Sequence, residues 1–158
     1  SLITLYVHSS KLLFDQQLLE SATTYTNIGK WHKDTKNRAA SEKVLHHVVH
    51  HYEDDEAALA KYLLGYELKK QEKYVEAKQA FHESIPYLPL REQLKAYEQL
   101  AIIDEHKIKD LQQAYKMTTR CLEIVYTIND WREGQQDRVF QKLQIRQKRI
   151  ERKLERLQ

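Results

Sequence analysis

Between Leu111 and Val125, apolar and small residues return at three-and-four spacing: Leu111, Ala114, Tyr115, Thr118, Cys121, Leu122 and Val125. That spacing predicts one buried face of an amphipathic helix. The stretch 60–89, AKYLLGYELKKQEKYVEAKQAFHESIPYLP, predicts two further helices pinched apart at Gln71–Lys73. Gly65 and Ala77 are small where two antiparallel helices approach, and Leu68, Tyr74 and Phe81 fill the space around that approach. Pro89 is expected to stop the second helix. Ile28-Gly29 precedes Leu64-Gly65, and Leu100-Ala101 follows it, at one constant interval (29 to 65 to 101). Three hairpins in register form an internal repeat, near the smallest number at which stacked units bury one another's faces.

The order Leu64-Gly65, Leu68, Tyr74, Ala77, Phe81, Pro89 resembles the tetratricopeptide repeat from its Leu-Gly pair onward. Two positions depart from that pattern. Lys61, beside Tyr62, stands where the repeat usually has Trp, and Glu72 stands where the turn usually has Gly. The resemblance implies an α-solenoid, with the first helices of successive hairpins lining a concave groove.

Composition agrees with an all-α fold. With 158 residues and 41% hydrophobic content the chain can bury one sizeable core, and 3 Gly and 2 Pro are too few to punctuate a sheet-rich fold. We expect a single helical-repeat domain over 1–158. A leading helix occupies 1–21, three hairpins occupy 22–128 and a long basic helix occupies 131–158. Leu2, Ile3, Leu5, Tyr6, Leu12, Leu13 and Leu18 give the leading helix its apolar side, and that helix can equally end a preceding domain. The chain opens mid-pattern without an initiator Met, as a piece of a longer protein would. No signal-peptide pattern or apolar run of membrane-spanning length appears, so no membrane partner is expected. One cysteine allows no internal disulfide framework, and a reducing, cytoplasmic setting is the expectation.

The segments NIGKWH (27–32), LLGYELKKQEKYVEAKQAF (63–81) and LAIIDEHKIKDLQQAYKMTTRCLE (100–123) are together similar to the C-terminal helical repeats of YprB-type proteins. The opening SLITLYVHSSKLL and the closing QKLQIRQKRIERKLERL fit the same resemblance. It implies a ribonuclease-H-like exonuclease domain ahead of these repeats. The catalytic carboxylates would then lie upstream, and no catalytic residue is expected in this segment.

The residues that invite a chemical reading each have a simpler structural one. His46, His47, His50 and His51 form two i, i+4 pairs of the kind that holds zinc or nickel when a third ligand is near. They flank an apolar stripe of Leu45, Val48, Val49 and Tyr52, so surface histidines are the plainer account, and no metal or other cofactor is expected. Cys121 belongs to the core stripe of its helix, where a nucleophilic thiol lacks a His or charged partner. In the acidic run Glu53, Asp54, Asp55, Glu56, we expect Asp54 or Asp55 to cap the helix that follows. Gly29, Gly65 and Gly134 lie too far apart to cradle a phosphate. The segment is therefore read as not an enzyme.

Charge is unevenly placed. The chain carries +3 overall, whereas 135–158 carries eight basic residues against three acids, +5 locally, which leaves −2 for the remainder. Phe140, Leu143, Ile150, Leu154 and Leu157 give this helix an apolar seam. Two binding surfaces are expected. A groove presenting Lys30, Tyr62, Tyr66, Lys69 and Lys95 suits a protein or acidic peptide. Arg138, Lys142, Arg146, Arg149, Arg152 and Lys153 suit nucleic-acid phosphates, as an accessory domain guiding substrate to a nuclease would need. Against both stands a purely stabilising domain whose basic helix is a solvated cap.

Overall fold

The computed structural model describes residues 26–31 and 37–158, without the side chain of Asp54. The leading helix expected over 1–21 lies outside the described residues. Everything described is helix or short connection: a helical segment over 26–31, then α1 (Arg38–His51), α2 (Asp54–Lys70), α3 (Tyr74–Ser84), α4 (Leu90–Ile103), α5 (Leu111–Val125) and α6 (Gln135–Glu155). A 3₁₀ turn, Ile85–Tyr87, follows α3, and a π-helical turn, Asp104–Ile108, follows α4. Among the described residues no helix is long and apolar enough to cross a membrane.

Each helix packs on its neighbour in sequence, most extensively α2 on α3 and α4 on α5. In the first two hairpins a residue without a Cβ sits against a large side chain of the partner helix. Gly65 meets the Phe81 ring, and Gly29 meets Leu45. Ser41 Oγ also donates to the Gly29 carbonyl at 2.8 Å, which ties 26–31 to α1. One core runs from Ile28 through Phe81 to Met117. A second, built on Leu94, Cys121, Val125, Ile128 and Leu143, closes α6 onto the last hairpin. Cys121 is fully buried there, and burial followed by the nearby charge of Glu98 pushes its thiol up to about 12.

Cross-helix pairs fix the direction of alternate helices. Lys69 near the end of α2 reaches Gln99 near the end of α4, while the charge of Glu92, near the start of α4, acts on Tyr62. Glu98 is met by Lys142 and Arg146, and Glu105 by Arg149 and Lys153. Helices α2, α4 and α6 therefore run parallel, side by side.

Three expectations need correction. The second helix of the third hairpin falls one residue out of register. The N-caps of the second helices are Asn37, Lys73 and Asp110, so the third hairpin is one residue longer than the second. The π turn Asp104–Ile108 absorbs that residue, since widening one turn accommodates a single insertion without breaking the helix. Pro89 does not stop α3. That helix ends at Ser84, ahead of a 3₁₀ turn containing Pro86, whose missing N–H cannot extend the α-helical ladder, and Pro89 instead caps the start of α4. Glu53, in extended conformation, holds the cap position of α2 without a side-chain hydrogen bond, so neither Asp54 nor Asp55 is the cap. Asp55 Oδ1 accepts from the adjacent Glu56 N–H.

Candidate anion-binding face

Glu72, where a repeat of this pattern usually has Gly, adopts φ 61°, and Lys109 adopts φ 66° at the matching place of the next hairpin. Each left-handed residue reverses the chain between two helices. The second reversal brings the π turn and its charged residues beside α6.

Two adjacent carboxylates, Asp104 and Glu105, are buried in that turn. Lys78 on α3 reaches Asp104 Oδ1 at 2.5 Å, although burial still raises the Asp104 carboxyl above its usual range. Glu105 takes a bidentate pair from Arg149, both bonds 2.7 Å, and a third bond from Lys153 at 2.6 Å. Burial alone would raise its pKa. The Arg149 and Lys153 bonds outweigh burial and hold the carboxyl at about 2. His106 Nε2 stands 3.2 Å from the same carboxylate. Lys142 pairs with Glu98 at 2.6 Å.

Beside these satisfied pairs is a group of cations whose partners are neutral. Lys69 donates to the side-chain oxygen of Gln99, Arg146 donates to the Glu98 carbonyl at 3.4 Å, and Lys107 lies 5.3 Å from the centre of the Tyr74 ring. Arg146 and Lys107 both act on Lys69. Burial, then the charge of Arg146, and less strongly that of Lys107, lower the Lys69 ammonium from its ordinary value, against the opposing charge of Glu98. The potential of such a positive cluster favours a negative charge beside it.

The residues singled out in the sequence fall differently around this face. Tyr62 is buried and Tyr66 partly so. Their rings stand edge to face with hydroxyls 3.2 Å apart, and both pack on Phe81. Burial and the Tyr66 hydrogen bond raise the Tyr62 phenol. Tyr62 is thus core, whereas Lys69 reaches the charged face. Lys30 and Lys95 are exposed on their own helices and are not among the charges acting on Lys69. Of the basic residues of α6, Lys142, Arg149 and Lys153 are engaged by Glu98 and Glu105, Arg146 joins Lys69, and Arg138 and Arg152 are exposed. Sequence reading missed Lys107, Gln99 and the two buried acids. The only hint was an acidic pair directly after the apolar Ile102-Ile103.

The histidines of α1 stack in pairs, His46 on His50 at 6.2 Å and His47 on His51 at 4.2 Å. His46 faces Glu42 at 3.5 Å, and burial, then His51, lowers the His47 pKa. Among the described residues no group of three or more His, Cys, Asp or Glu converges to hold a metal.

No protein-family model, no curated protein and no solved structure matches the chain.

Proposed function

We propose that this segment is an interaction scaffold, an α-solenoid of tetratricopeptide-like hairpins closed by α6, which docks an acidic protein segment across α2, α4 and α6. The observation that carries the reading is that Lys69, Lys107 and Arg146 make their direct contacts with neutral groups, a side-chain amide, a ring and a backbone carbonyl. Three features support the solenoid: parallel alternate helices, repeated glycine contacts, and the exposed Arg138, Lys148 and Arg152 that give α6 the polar outer side of a terminal cap. Docking on a parent protein with a ribonuclease-H-like domain follows from the resemblance of the repeats alone.

Nucleic-acid guidance is the second reading, favoured by those same exposed arginines and lysine on α6. It is the weaker because Glu98 and Glu105 already pair with Lys142, Arg149 and Lys153, which cuts the charge of these groups from +3 to +1. A fluorescently labelled Glu-rich peptide and a labelled RNA of equal charge separate the two. We expect the peptide to bind more tightly at equal salt and Lys69→Glu to weaken it roughly tenfold, the scale of one lost charge contact. Tighter binding of the RNA, insensitive to Lys69→Glu, would establish guidance instead.

A further inference from the structure

His106 is the titratable ring of the cationic face. Its Nε2 lies 3.2 Å from Glu105 Oε2, the oxygen that also accepts from Arg149, and its side chain is 45% exposed, so it exchanges protons with solvent. The charges that act on it come from two elements: Glu105 on its own turn, and Lys153, Arg149 and Arg146 on α6. Three cations against one carboxylate leave +2 beside the ring. Burial lowers the imidazole from its ordinary value, Glu105 opposes that, and the three cations add to it. The neutral ring is therefore favoured while the face is empty. Around the same turn, residues 100–103 at the end of α4 carry no charge, Asp104 is buried and paired with Lys78 of α3, and Asp110 at the start of α5 accepts from the Gln113 N–H.

We infer that docking of the acidic segment is coupled to protonation of His106, so that a falling pH adds a further cation to the face. This rests on the acidic-segment reading above and supplies its regulation. A negative segment laid over Arg146, Arg149 and Lys153 cancels the positive excess beside the ring, and the ring then takes up a proton. By linkage the proton strengthens docking by the same factor. One unit charge at contact distance in a solvated place is worth roughly fivefold in affinity. The gain develops as the pH falls from about 7.5 to about 5.5, through the range where an imidazole titrates and a peptide glutamate stays ionised. Glu105, held at about 2, also stays ionised there, so the bonds that fasten α6 are unchanged. His82 offers a comparison within the same protein. The charges acting on it are Lys78 and Asp104, not those of α6, so its protonation is not tied to the docked segment.

The test measures binding of the labelled Glu-rich peptide to the full chain at pH 7.5, 6.5 and 5.5, at one ionic strength. The parent should bind roughly fivefold more tightly at the lowest pH than at the highest. His106→Gln should lose most of that gain, whereas His82→Gln should keep it. Both rings are exposed, so both variants should retain helical circular dichroism. Calorimetry in two buffers of different ionisation enthalpy should show proton uptake on binding at pH 6.5, and His106→Gln should reduce it. An affinity that does not change with pH, or a gain that His106→Gln keeps in full, would overturn the coupling while leaving acidic docking intact. A peptide that binds at none of the three pH values would overturn both.

Discussion

Gly65 and Phe81 stand so close that a Cβ on Gly65 would lie 2.8 Å from Cε1 of the Phe81 ring and 2.9 Å from its Cζ. The ring cannot move aside cheaply. It is fully buried, with Tyr62 and Tyr66 packed on it edge to face. Gly29 holds the matching place in the first hairpin, where the nearest atoms are Cδ2 and Cγ of the equally buried Leu45 at 3.0 and 3.1 Å, an aliphatic chain that has less far to give than the Phe81 ring.

The two glycines should therefore respond differently to the same substitution. Exchange of Gly for Ala inside a helix ordinarily gains about 1 kcal/mol of propensity. At Gly65 the overpacking cost of about 1–3 kcal/mol should exceed that gain. Thermal unfolding should show Gly65→Ala lowering Tm by a few degrees and Gly29→Ala leaving it nearly unchanged. Adding Phe81→Leu to Gly65→Ala should recover part of the loss, because Leu is what the first hairpin uses at that position. Strictly additive effects of Gly65→Ala and Phe81→Leu would refute a shared contact.

The glycine contact was legible in the sequence because it depends on two short segments at a repeated interval. So was the core face of α5, with Cys121 inside it, because helical periodicity alone decides it. The extra residue before α5 was not legible, since Leu100-Ala101 keeps the interval and the insertion comes only afterwards, at Asp104–Ile108. The charge pattern of α6 escaped for another reason. Counting residues shows a basic helix, but whether Arg149 and Lys153 are available depends on Glu105, 44 and 48 positions earlier. Tyr62 and Tyr66 share a helix face with Lys69, yet the face curves from core to surface along α2. Spacing gave the neighbours without saying which end was wet.

Glu72 and Lys109 show that the turn geometry persists without the residue that suits it. A side chain at φ near +60° costs about 1–2 kcal/mol relative to the right-handed region, a cost glycine does not carry. Part of the gain from Glu72→Gly or Lys109→Gly is returned through the greater freedom of glycine in the unfolded chain. The expected net effect is a stabilisation of about 0.5 kcal/mol for either variant in urea titration. Glu72→Val should destabilise, because a branched side chain tolerates the left-handed region least. A Val variant as stable as the parent would show that the turn relaxes out of this conformation.

Glu105 takes three bonds from α6, and its carboxyl sits at about 2 when folded against 4.5 unperturbed. A depressed pKa means that the folded protein holds its carboxylate while the unfolded chain takes up a proton first. The stabilisation is therefore complete above about pH 4.5 and drains away as the pH falls toward 2. The size of the shift corresponds to about 2–3 kcal/mol, allowing for the half-exposed Arg149 and Lys153. Glu105→Gln should cost about that much at neutral pH, since it leaves two cations facing an amide in a buried place. The deficit should shrink steadily below pH 4.5, and the unfolding curves of variant and parent should converge near pH 2. Arg149→Lys should lose part of the same stabilisation, because an ammonium cannot reproduce the two-pronged bond. If the parent and Glu105→Gln differ by the same amount at pH 3 as at pH 7, the carboxylate is not what fastens α6, and the apolar contacts of Leu143 and Ile150 hold the helix in place.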